Sequence, residues 1–149
     1  MSPEEIRLLA YVLQVAVGSV ALAPVFLALR PERHARGAQA LDRAPFVSLL
    51  LGLLPVGGLV GGLLALGFAG MQIGYLAVLV LAGLLCGLGI SVAGRSLGQR
   101  LMTDASPFMQ TLVGAALLGG AMVWPAAGLV IFLTAVALGL GGWLRARVG

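Results

Sequence analysis

Residues 44–94 read APFVSLLLGLLPVGGLVGGLLALGFAGMQIGYLAVLVLAGLLCGLGISVAG, and this stretch decides the fold. It runs for 51 residues between Arg43 and Arg95 without an Asp, Glu, Lys, Arg or His. A helix crossing a bilayer needs roughly 20 apolar residues. The stretch is therefore too long for one span and holds two. Outward from it, 22 uncharged residues separate Arg7 from Arg30, enough for one helix. Another 40 separate Asp104 from Arg145, enough for two.

The composition agrees. Hydrophobic residues make up 60% of the 149-residue chain and charged residues 9%, against roughly 25% charged in a soluble domain. So little polar surface cannot cover so much apolar surface in water. The expected fold is all-α: a polytopic transmembrane bundle forming one membrane domain, 1–149. Its expected spans are about 5–29, 45–69, 73–95, 106–123 and 126–145. A cytoplasmic Arg-rich loop, 30–44, joins the first two. Hairpin turns are expected at Gly70–Gly74 and at Trp124–Gly128, where Pro125 breaks the helix.

Charge placement orients this arrangement. Five spans put Arg30, Arg33, Arg36, Arg43, Arg95, Arg100, Arg145 and Arg147 on one side, leaving Arg7 beside Glu4 and Glu5 on the other. The positive-inside rule then sets the N-terminus outside and the C-terminus in the cytoplasm. Three long spans would split the arginine clusters between the two sides. The acidic start, Ser2-Pro3-Glu4-Glu5, lacks the basic region of a signal peptide and reads as a capped helix start.

Part of the chain recurs. Pro45-Phe46, Gly52 and Gly57-Gly58 reappear 62 residues later as Pro107-Phe108, Gly114 and Gly119-Gly120. The two hairpins read as parallel repeats about an axis along the membrane normal, chance recurrence in a chain of 23 glycines being the alternative.

Chemistry-bearing residues are few. No ionisable residue lies inside an expected span, which argues against a proton-coupled pump. No base is placed to activate Ser91 or Cys86, so an enzyme is not expected. Cys86 reads as a small buried hydrophobe and His34 as a solvated loop histidine. No cluster has metal-ligand spacing, so neither metal nor cofactor is expected. The arginines flank apolar runs, a pattern of topology signals and lipid headgroup contacts rather than nucleic-acid binding. Arg30, Arg33, Arg36 and Arg43 are the candidate contacts for anionic lipid or a partner. Gln14, inside the first span, is the candidate interhelical polar residue. Small residues at four-residue spacing mark candidate helix-packing faces: Gly57/Gly61, Gly58/Gly62, Gly70/Gly74 and Gly83/Gly87. Their partner helix is either internal or on another chain.

Three stretches resemble the multi-span membrane domain of bacterial bactofilin-associated (polymer-forming cytoskeletal) proteins. They are Ala44–Gly52, then Gly94–Leu101 followed by Ser106-Pro107-Phe108, then Pro125–Val130 with Leu138–Gly141. In the second, Gly94-x-x-Leu97-Gly98-x-x-Leu101 matches that domain's central turn. The chain departs from the pattern at Ile73-Gly74-Tyr75, where the family has Gly-Ile-Pro. The resemblance implies a helical membrane domain without catalytic residues. The function expected is a non-enzymatic bacterial inner-membrane scaffold, anchor or accessory subunit, with membrane lipids, other membrane subunits or its own copies as partners. The alternative is a small channel or facilitator for an uncharged or lipid-like solute.

Overall fold

The computed structural model describes residues 2–68 and 72–148. Among these, all regular structure is helical: α1 (Pro3–Leu29), α2 (Pro31–Arg43), α3 (Pro45–Phe68), α4 (Gln72–Leu101), α5 (Pro107–Gly120) and α6 (Pro125–Val148). A short 3₁₀ turn, Ala121–Val123, sits between α5 and α6.

Proline sets most of the boundaries. Its ring disfavours helical geometry in the residue before it. Arg30 (φ −148°, ψ 70°) and Ala44 (φ −151°, ψ 76°) leave the helical region ahead of Pro31 and Pro45. Ser106 and Trp124 are extended ahead of Pro107 and Pro125. Pro also suits the first helical position, because its missing N–H would be unpaired there anyway. Ser2 caps α1 as its sequence suggests: its Oγ accepts from the Glu5 N–H while the Ser2 N–H donates to Glu5. Pro24 and Pro55 lie inside α1 and α3 without ending them.

Among the described residues, three helices are long and apolar enough to cross a membrane: Pro45–Leu66, Leu76–Leu101 and Ala126–Val148. Val17–Leu29, the later part of α1, and Pro107–Val123 are shorter apolar stretches. At about 1.5 Å per residue, α5 is about 21 Å long, against a hydrocarbon core of about 30 Å. By the same measure α4, with 30 residues, is about 45 Å long, more than the thickness of such a core.

The segment expected as a loop is a 13-residue helix, α2. The reason is legible afterwards. His34, Gly37, Ala38 and Leu41 recur at helical spacing and form its buried face, while Arg33, Arg36, Gln39 and Arg43 stay exposed. The turn expected at Gly94–Leu101 is likewise absent, because α4 runs unbroken to Leu101. The chain turns instead at residues 102–106. Glycines 94 and 98 serve packing, not turning.

Helices pack in cross-hairpin pairs. α3 lies on α6, α5 lies on α4, and α4 meets α6 at the centre. Glycine permits each close approach. A Cβ on Gly52 would overlap the carbonyl of Ala137, and one on Gly114 would overlap that of Gly94. One helical turn away, Gly141 abuts Ser48 and Gly98 abuts Gln110. Positions 62 apart in α3 and α5 thus meet residues 43 apart in α6 and α4. The repeated sequence of the two hairpins corresponds to a repeated contact. At the centre, Gly139 abuts Gly89. Around these contacts lies an apolar core that includes Ala23, Ile90, Ala93, Ala115, Phe132, Val136 and Leu140.

Candidate functional site

The most elaborate polar chemistry surrounds α2, which packs mainly on α6 and α4. Polar contacts at four places fasten it, around His34, Asp42, Arg145 and Arg95. His34 is 2% exposed; its Nδ1 lies 3.1 Å from the Arg30 carbonyl and its Nε2 2.7 Å from Ser91 Oγ. Ser96 Oγ donates to Asp42 at 2.7 Å, and Arg100 pairs with the same carboxylate oxygen at 2.8 Å. Arg145 Nη1 donates to the carbonyls of Ala40 (2.8 Å) and Ala44 (3.3 Å). Arg95 Nη1 donates to the Pro31 carbonyl at 3.2 Å. Both carbonyls also accept backbone bonds, from Ala44 and Ser48, so Arg145 adds a second, charge-assisted donor where α2 gives way to α3.

The length of α4 explains the placement. Its last three turns carry Ser91, Arg95, Ser96 and Arg100, and all four meet α2.

The His34 ring is therefore not solvated as its Arg-rich surroundings suggested. Burial pushes its pKa below the usual value; the hydrogen bond to Arg30 opposes this and the nearby Arg95 charge adds to it. Burial thus favours the neutral ring. A carbonyl only accepts, so neutral His34 donates from Nδ1 to Arg30 and accepts at Nε2 from the Ser91 hydroxyl. That hydroxyl also lies 2.8 Å from the Leu88 carbonyl and has one proton for two acceptors. The cluster joins α2 to α4 and corrects the sequence reading that Ser91 has no base beside it: the Ser91 hydroxyl meets His34 Nε2, and the Arg30 carbonyl orients the ring through Nδ1, with both side chains buried.

The expected site residues separate into groups. Arg33, Arg36 and Arg43 lie on the exposed face of α2, and Arg30 is exposed at the α1–α2 junction. Arg36 pairs loosely with Glu32 at 3.6 Å. Gln14 is exposed on α1. A Cβ on Gly87 would contact Leu22 (3.1 Å) and Phe26 (3.0 Å) of α1. A Cβ on Gly57, Gly58, Gly61, Gly62 or Gly83 would meet nothing within 4 Å. Gly74 is half-buried near the start of α4, and Gly70 lies outside the described residues. Among the described residues, no group of three His, Cys, Asp or Glu could hold a metal ion.

Sequence reasoning missed the docking residues of α2 and Arg95. Their signal was a run of polar residues at helical spacing, Ser91, Arg95, Ser96 and Arg100, at the end of an otherwise apolar helix. No family model matches this chain, and no curated protein or solved structure matches it.

Proposed function

We propose that this protein is a non-enzymatic subunit, scaffold or anchor of a bacterial inner-membrane assembly. It would cross the membrane five times, with its N-terminus outside and C-terminus in the cytoplasm. The shorter α5 would complete its crossing with the 3₁₀ turn and the interfacial Trp124. Arginines from α2, α4 and α6 gather around one end of the bundle, which supports this orientation.

One observation carries the assembly reading. The outer half of α3 presents Gly57, Gly58, Gly61 and Gly62 to open space. Only 6% of the α3 apolar window is buried within the chain, against 50% for α6. Membrane helices associate closely where small residues allow backbones to approach. The inner glycines, Gly52 and Gly141, already do this within the chain. The outer ones are equally suited to a helix of another chain. The facilitator alternative drew on the repeated hairpins, which make equivalent close contacts, and on Gln14, which lies exposed on α1.

The test is mass. Purified from native membranes in a mild detergent, the protein should run as a complex well above its 15.1 kDa chain. Gly57→Leu with Gly61→Leu should release it as a folded monomer. A wild-type monomer under the mildest extraction would remove the reading.

A further inference from the structure

Beside α2 lies an apolar groove of about 550 Å³. Pro24, Leu27 and Ala28 of α1 form one wall, and Pro107 and Phe108 at the start of α5 form another. Arg95 lines the same groove. Its side chain is unusual for this protein. It is 9% exposed, its Nε is buried without a hydrogen-bond partner, and its Nη1 reaches only the Pro31 carbonyl. Among the described residues, no carboxylate stands within ion-pair distance of it. A buried guanidinium without a countercharge is costly. The neighbouring chemistry increases the positive potential, because α5 begins at Pro107 and turns the positive end of its dipole to the groove. Glu32 is the one carboxylate on the groove's lining, and it is exposed and paired with Arg36.

We propose that this groove binds an anionic phospholipid, with its phosphate between Arg95 and the α5 N-terminus and an acyl chain along Pro24, Leu27 and Phe108. Three features favour a lipid over an acidic protein segment. Apart from Arg95, Ser106 and the exposed Glu32, the groove is lined by Pro, Leu, Ala and Phe side chains. Phe108 is 51% exposed, which leaves the groove open toward the bilayer. Arg95 lies near the C-terminal end of α4, beside Ser96, Arg100 and the polar helix α2, where a headgroup would find polar surroundings. The phosphate supplies the countercharge that the chain does not. This inference rests on the membrane placement of the bundle and is independent of any partner on α3.

The experiment uses the full chain. Resistance of the membrane-bound protein to carbonate extraction first checks its placement in the bilayer. Native mass spectrometry then compares wild type, Arg95→Gln and Ala28→Phe after exchange into phosphatidylglycerol or phosphatidylcholine. Ala28 is exposed in the groove wall, so Phe there fills the groove and leaves Arg95 in place. Wild type should retain phosphatidylglycerol selectively. Both variants should retain it about ten-fold less, the loss expected for one charge-assisted contact. Thermal melts without lipid identify any variant that has simply unfolded, and Ala28→Phe decides if Arg95→Gln has. Inorganic phosphate in neutral detergent separates a lipid site from a free-anion site. Equal retention of phosphatidylglycerol by wild type and a folded Ala28→Phe variant would overturn the proposal. So would no preference over phosphatidylcholine, or full stabilisation by inorganic phosphate alone.

Discussion

Replacing Gly141 with Ala adds one methyl group at the closest approach of α6 to α3. An ideal Cβ there overlaps the carbonyl oxygen of Ser48 and lies 2.8 Å from its Cα. Both obstacles are backbone, so no side-chain rotation relieves the clash and the helices must separate. Overpacking of this kind costs about 1–3 kcal/mol, and a backbone neighbour places it at the upper end. Separation also loosens the equivalent approach one turn away, at Gly52 and Ala137. The intrinsic helix preference of Ala over Gly returns about 1 kcal/mol. The net expectation is a loss of about 2 kcal/mol, equivalent to roughly 5 °C in melting temperature for a chain of this size. Gly18→Ala, within α1, is the control, because its new methyl meets nothing within 4 Å. It keeps the propensity gain and should melt at or slightly above wild type in detergent. Thermal unfolding of the three proteins, followed by circular dichroism, reads the difference. If Gly141→Ala melts with wild type, the cross-hairpin packing of α3 on α6 is wrong.

Other outcomes follow from the α2 cluster. The His34 pKa is lowered on folding, so the unfolded chain binds the proton more readily. Stability from the neutral ring is complete above about pH 6.5 and falls as pH drops below that value; His34→Gln should remove this part of the acid sensitivity in a pH series of melts. Arg145→Gln removes charge-assisted bonds to two carbonyls and should cost about 1.5–3 kcal/mol, seen as faster proteolysis within α2 as well as a lower melt. Asp42→Asn breaks the more exposed pair with Arg100 and should cost under about 1 kcal/mol by the same melt. Arg33→Gln with Arg36→Gln touches only the exposed face, so stability should stay within about 0.5 kcal/mol; any loss of bound anionic lipid in native mass spectrometry would then report headgroup contact.

The helices were largely readable because two simple rules place them. Charge gaps delimit the long apolar helices, and the X-Pro junctions at 30–31, 44–45, 106–107 and 124–125 fix their starts. α2 was obscured because its charges dominate any reading by composition. Its buried face is only His34, Gly37, Ala38 and Leu41, and two of those four are too small to register as an apolar stripe. His34 looked solvated for the same reason. Its partner Ser91 lies 57 positions away, and nothing local marks the pairing. Glycine faces were legible as pairs but not by partner. Gly52 and Gly114 stood out as a repeat, yet their close neighbours come from the opposite hairpin. Spacing along one helix cannot distinguish Gly52, pressed on α6, from Gly61, facing outward. Arg95 was counted as a topology signal, which concealed that it lacks a countercharge.

The outer face of α3 is the most direct place to test assembly. A photo-reactive side chain at Gly61, in the full chain expressed at native level in native membranes, reports what lies against that glycine. A discrete protein adduct, from a second copy or another subunit, is expected, and it should vanish when Gly57 is also replaced by Leu. Adducts to lipid alone, with Gly57→Leu making no difference, would contradict the reading of this face as a helix–helix interface.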